Sequence, residues 1–228
     1  MIVWIFLNEP FIIAGQLWFL FALLYDYMIF AIVEKKKLFK AAYILIPIFL
    51  FCYIGLAQGA HLMGIHVPNI IYRNFLIEGF PLFMLGYWLH QNGNKIKISN
   101  TTLSIVIMSS TVLCLVERKL LGRDFGVNIL SFLQVIAIFL FAINNPNRFQ
   151  NSPFRLLGEK YSLYIYILHP AVWHTLEYVY EMLRIDKNII ALWAMPILVL
   201  VLTILTAWLW NAMKEKYHNQ ILRRQEIA

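Results

Sequence analysis

The stretch GEKYSLYIYILHPAVW, residues 158–173, sets Ser162, Tyr166, His169 and Trp173 three or four residues apart. On a helix that spacing places all four on one face. An imidazole exchanges a proton near neutral pH, and a hydroxyl both donates and accepts, so such a face can move a proton during group transfer. Pro170 adds a second feature: it lacks the N–H that would bond the Tyr166 carbonyl, which bends the helix and frees an acceptor. The same pattern also suits a packing stripe, with His169 bonded to nearby backbone and Pro170 shaping a bundle. The sequence leaves both readings open.

A second constellation lies in YRNFLIEGFPLFMLGYWLHQN, residues 72–92. Arg73 is a rigid, multiple hydrogen-bond donor suited to an anion or a carbonyl. Alternatively it snorkels to lipid headgroups, or pairs with Glu78. Gly79 and Gly86 lie seven apart, where they would let another helix approach, and Pro81 loosens the first turns. Upstream, QLWFLFALLYDY (residues 16–27) carries Gln16, Trp18 and Asp26 in an apolar run. Asp26 needs a cation or a donor elsewhere, whereas Trp18 and Tyr25 also fit simple packing. The candidate cavity-lining residues are therefore Arg73, Glu78, Ser162, Tyr166, His169, Trp18 and Asp26. No metal site is expected: His61 and His66 have no third ligand near them in sequence, and catalytic zinc takes three protein ligands. No phosphate-binding Gly-rich loop, GxSxG or HExxH occurs.

The elements that position these residues follow from composition. Of the 228 residues, 61% are hydrophobic and 14% charged. Soluble domains carry about 45–50% apolar and about 25% charged residues, so the excess here needs lipid as its solvent. Seven apolar segments approach the ~20 residues that cross a bilayer: 11–33, 41–60, 75–90, 101–116, 127–143, 161–183 and 189–210. Short polar connectors such as EKKKLFK, QNGNKIKISN and ERKLLGRD separate them. The fold class is thus all-α, a polytopic transmembrane bundle of about seven helices forming a single domain over 1–228. Polar groups inside lipid are costly and mark functional positions. Cys52 and Cys114 fall inside apolar segments and read as small buried thiols.

Orientation follows from Lys and Arg placement. With an external N-terminus, thirteen of the 19 basic residues fall on the inner side, which puts the C-terminus in the cytoplasm of a multi-pass cell-membrane protein. The net charge of +7 is this asymmetry; the basic residues are spread over separate loops, which argues against nucleic acid as a partner. The opening MIVWIFLNEPF has no basic leader region, and an odd helix count with an external start lacks a start signal, so further helices upstream are expected.

Three segments in order, LWFLFALLYDY (17–27), YRNFLIEGFPLFMLGYWL (72–89) and GEKYSLYIYILHP (158–170), resemble the acyltransferase-3 family of integral membrane O-acyltransferases. The likeness is to the later helices, in the manner of the membrane domain of peptidoglycan O-acetyltransferases and membrane-bound serine racemases. It implies about ten helices in a complete member, with this chain as a C-terminal portion lacking the first three. It implies no bound cofactor, with acyl-CoA, typically acetyl-CoA, as donor substrate. It implies a carbohydrate or peptidoglycan-type acceptor at the outer face, and the lipid bilayer as surroundings. The family's best-known essential His lies in a first helix that has no counterpart here. The catalytic residue is therefore unknown, the chain alone is expected to be inactive, and a partner chain supplying the missing helices is expected. Two other classes stay open: a small-molecule transporter, in which Arg73, Glu78 and His169 would line a midplane path, and a non-catalytic membrane remnant or scaffold. The family fold is also expected to bring Arg73 and His169 near one polar region.

Overall fold

The computed structural model describes residues 18–122, 127–148, 150–185 and 188–227, with side chains given as far as Lys216 except at position 215. Among them every regular element is helical. Seven long helices follow one another: α1 (Trp18–Lys35), α2 (Phe39–Ile54), α3 (Phe80–Asn92), α4 (Asn100–Leu121), α5 (Ile129–Asn144), α6 (Ser162–Met182) and α7 (Ile189–Ile227). Each overlaps one of the seven apolar segments, α4 and α7 running past theirs to Leu121 and Ile227, and positions 11–17 of the first segment lie outside the described residues. The chain divides into two compact units, Met1–Arg148 and Phe149–Ala228.

In the first unit, Val33, Ala42, Ile46, Phe80 and Met84 bury together and tie α1, α2 and α3. Phe30, Phe39 and Tyr87 close one end of this contact with ring centroids 4.8–6.1 Å apart. A second core of Leu89, Leu103, Ala137 and Leu140 joins α3 to α4 and α5. Polar groups lock α4 to α5 as well. Gln134 Nε2 donates to Thr111 Oγ1 at 2.7 Å, and the amides of Asn100 and Asn145 bond reciprocally at 2.9 and 3.0 Å. At the far end, Glu117 of α4 accepts from the backbone N–H of Ile129 at 3.0 Å and from Gln58 Nε2 at 3.1 Å. A carboxylate there satisfies N–H groups that the first turn of α5 leaves without helical partners. His61 bonds the Leu121 carbonyl at 3.0 Å in the same corner. In the second unit α6 packs on α7 through Tyr180, Met195 and Val199, with Val172, Trp173 and Leu176 beside them.

Local chemistry explains the boundaries. Ser99 Oγ caps α4 by accepting from Thr102 N at 3.0 Å. The helix runs past Val116, where the apolar segment ends, because Glu, Arg, Lys and Leu are good helix formers. Gly122 stops it with φ of 63°, a left-handed value that favours glycine. α2 continues through a wide π-type turn at Gly55–Gly59 to Leu62. The run Phe39–Leu62 has 24 residues and Ile189–Lys214 has 26; both are long and apolar enough to cross a bilayer.

Large apolar side chains stand on the outside of these helices. Phe51, Leu120 and Trp193 are each about three-quarters exposed or more, at 74%, 81% and 78%. Neither cysteine is buried: Cys114 is half-buried, and Cys52 is exposed beside Phe51 on the outward side of α2. An apolar segment in this protein has no polar face to mark which side points out, so burial at position 52 was not readable from hydropathy.

Candidate functional site

The first unit gathers four of the seven candidate residues along α1 and the segment leading into α3. That segment is built around Asn74. A short helix, Asn69–Tyr72, ends at Arg73, and the chain restarts in a π-type turn at Phe75–Gly79. Asn74 joins the two ends. Its Oδ1 accepts from Leu76 N and Ile77 N, both at 3.0 Å, and its Nδ2 donates to the Ile70 and Ile71 carbonyls at 3.0 and 2.8 Å. The side chain is 3% exposed, so all of this replaces bonds to water. The wide turn has its own cause. Pro81 has no N–H to donate to the Ile77 carbonyl, and Phe80 N bonds Phe75 O, five residues back.

Arg73 is thereby held at an exposed break in the backbone. Its guanidinium lies over the Trp18 ring, 5.2 Å from the centroid. A cation over an indole face is held by about 0.5–1 kcal/mol when exposed. Tyr25 and Phe75 add a ring contact of 5.0 Å between the same two elements. Deeper along α1, Asp26 is 3% exposed and Glu78 is 7% exposed. Asp26 Oδ1 and Glu78 Oε2 are buried without a hydrogen-bond partner among the described residues. Such oxygens are costly in an apolar interior. Gln16 lies outside the described residues.

Of the two glycines, Gly79 is the one that another helix approaches. A Cβ added there would meet Asp26 Oδ2 at 2.6 Å and Ala22 Cβ at 3.5 Å, whereas nothing lies within 4 Å of one at Gly86. Gly79→Ala is expected to destabilise the protein by about 1–3 kcal/mol through overpacking. Gly86→Ala should be neutral or slightly stabilising, since alanine favours helix. Thermal unfolding of both variants in detergent checks this; equal melting points would place α1 farther from Gly79 than the geometry has it.

The second unit carries Ser162, Tyr166 and His169 on α6. Ser162 is exposed, while Tyr166 and His169 are half-buried. The Tyr166 and His169 rings sit 5.7 Å apart at a 54° tilt. His169 Nδ1 lies 2.7 Å from the Tyr166 carbonyl and 3.3 Å from that of Ile165. Pro170 frees the Tyr166 carbonyl, and the neighbouring imidazole fills it. A carbonyl only accepts, so Nδ1 carries the proton and Nε2 keeps its lone pair in the neutral ring. The bond to nearby backbone and the availability of a basic nitrogen thus coexist. Arg73 belongs to the first unit and His169 to the second.

One polar group escaped the sequence reading. His174 and Glu177, one turn apart on α6, form a hydrogen-bonded pair with Nδ1 to Oε2 of 2.9 Å. Its signal in the sequence is H-x-x-E at helical spacing.

Comparison with known proteins bears on the whole chain. A family model described as an acyltransferase domain, of the acyltransferase-3 type, matches residues 2–211. No curated protein and no solved structure gives a significant match. The match reaches into both units, covers Phe39–Leu62 and most of Ile189–Lys214, and takes in all seven candidate residues. The chain belongs to the acyltransferase-3 family of membrane acyltransferases.

Proposed function

We propose that the protein takes an acyl group, typically acetyl, from acyl-CoA and passes it to a hydroxyl of a carbohydrate or peptidoglycan-type acceptor at the cell surface. The family match over residues 2–211 carries this reading. The chemistry of the candidate residues agrees with it. Acyl transfer from a thioester to an alcohol needs a proton taken from the hydroxyl and a donor facing the carbonyl oxygen as charge develops there. His169 offers a ring nitrogen with a lone pair and a fixed tautomer. Arg73 offers guanidinium N–H groups at an exposed position. On this reading the seven helices form a multi-pass bundle, and Trp18, Asp26, Arg73, Glu78, Ser162, Tyr166 and His169 border its cavity.

Native membranes containing the protein, supplied with labelled acetyl-CoA and cell-wall or polysaccharide acceptor, should accumulate label that mild base releases, as esters do and amides do not. Membranes from cells lacking the gene should not. Equal labelling in both would remove the assignment.

The topology has its own test. Nine basic residues, Lys35, Lys36, Lys37, Lys40, Lys95, Lys97, Arg148, Arg155 and Lys160, lie in or beside the α1–α2, α3–α4 and α5–α6 connectors. The positive-inside rule places those connectors, and the end of α7, in the cytoplasm. A reporter active only outside the cytoplasm should be silent when fused after Ala228 and active when inserted in the 63–68 connector. The opposite pattern would invert the orientation.

A further inference from the structure

Asp26 and Glu78 are each more than nine-tenths buried in the first unit, and nothing described so far answers their charge. Asp26 Oδ1 and Glu78 Oε2 have no hydrogen-bond partner among the described residues, and both oxygens are closed off from solvent. Gly79 sets their surroundings. α1 closes on that glycine so tightly that Asp26 Oδ2 lies 2.6 Å from where a Cβ would stand, with Ala22 Cβ 3.5 Å from the same point. No charged group of α2, α3 or the Phe75–Gly79 turn pairs with Asp26 among the described residues. Arg73 acts on Glu78 through space, but its guanidinium lies over Trp18. Tyr53 of α2 is the other ionisable group within reach of Glu78.

Asp26 lies about 14 Å along the axis from Lys35, the last residue of α1. That is near the middle of a hydrocarbon layer about 30 Å thick. An ionised carboxylate there is costly unless something positive meets it. Three kinds of ligand would answer the charge. A hard metal cation takes about six or more oxygens, and the described residues bring no three His, Cys, Asp or Glu together. A hydroxyl or a water needs room, which the sealed oxygens do not offer. A proton needs neither room nor further ligands, and it turns an acceptor-only carboxylate into a neutral group that also donates.

The close approach at Gly79 gives the proton a structural consequence. A neutral Asp26 is compatible with the glycine backbone and the Ala22 methyl that crowd it, whereas an ionised one draws water and must leave them. α1 carries both Asp26 and Trp18, and the segment it closes on carries both Gly79 and Arg73. Opening at Gly79 therefore reaches the Arg73–Trp18 stack.

We infer that Asp26 and Glu78 are proton-binding sites inside the first unit, and that α1 closes on Gly79 only while Asp26 carries its proton. The folded protein then holds protons that an unfolded chain releases at neutral pH, so its stability falls as pH rises above the ordinary carboxylate range. This goes beyond the acyltransferase reading, and neither measurement below depends on transfer.

Infrared spectra of the full chain in detergent or native lipid test the protons directly. Exposed carboxyl groups are ionised at neutral pH, so a C=O stretch from un-ionised carboxyl should mark the buried pair. Asp26→Asn and Glu78→Gln should each remove part of that band. Where a substituted chain fails to accumulate, isotope-labelled aspartate or glutamate in the unaltered chain assigns the band by its shift. No such band at neutral pH, or a band that either substitution or label leaves intact, would overturn the inference. The contact is read with cysteines in a background where Cys52 and Cys114 are replaced by serine. Ala22 and Ala207 are both fully buried. Raising the pH speeds labelling of Ala22→Cys and Ala207→Cys alike through thiolate formation. Ala22→Cys should gain severalfold beyond Ala207→Cys as Asp26 ionises, and adding Asp26→Asn should erase the extra gain. Equal acceleration at the two positions would show that α1 stays closed without the proton and would sink the proposal.

Discussion

Replacing His169 by alanine is expected to lower acyl transfer by about 10²–10⁴-fold, the usual contribution of a positioned acid–base group. Protein level in the membrane should be unchanged, because among the described residues the half-buried ring bonds within its own helix. The companion variant is Pro170→Ala. It restores an N–H opposite the Tyr166 carbonyl and so competes with Nδ1 for that oxygen. The helix should become straighter and more stable while transfer falls, since the imidazole loses the bond that fixes its tautomer. Rates measured in native membranes, alongside immunoblots for protein level, separate the outcomes. A rate unchanged in both variants would make His169 a packing residue.

Asn74→Ala is expected to cost about 2–3 kcal/mol, combining a lost N-cap with buried carbonyls left without donors. Four hydrogen bonds of 2.8–3.0 Å end on this one side chain, at 3% exposure. The effect should reach function, because the same residue fixes the backbone break at which Arg73 sits over Trp18. Asn74→Ser keeps an oxygen for the Leu76 and Ile77 N–H groups and should recover part of the loss. Melting in detergent, followed by Trp fluorescence, reads both. If alanine and serine variants melt with the unaltered protein, the break is held by packing of Tyr72 and Phe75 instead.

How far the sequence reached can be judged from these residues. The apolar runs alone located all seven long helices, because a segment of that length and composition can satisfy its backbone in lipid only as a helix or in a closed barrel. The order of motifs was enough to identify the family, and the candidate list already contained both Arg73 and Trp18, the pair that the fold stacks. Pro170 was recognised as freeing the Tyr166 carbonyl. That His169 fills it depends on a rotamer, which spacing does not reveal.

Tertiary structure decided the remainder. It chose Gly79 over Gly86 as the point where α1 closes in, left Asp26 Oδ1 and Glu78 Oε2 without partners among the described residues, and turned Cys52 outward. It also placed His174 and Glu177 on the side of α6 away from α7. The physical reason is common to all of these. In a soluble helix a polar face marks the outside, but in this chain the exposed side of a helix carries large apolar residues as the packed side does. The sequence therefore determined which segments are helical and where they carry polar atoms, while rotation of each helix about its axis was decided by close packing against its neighbours.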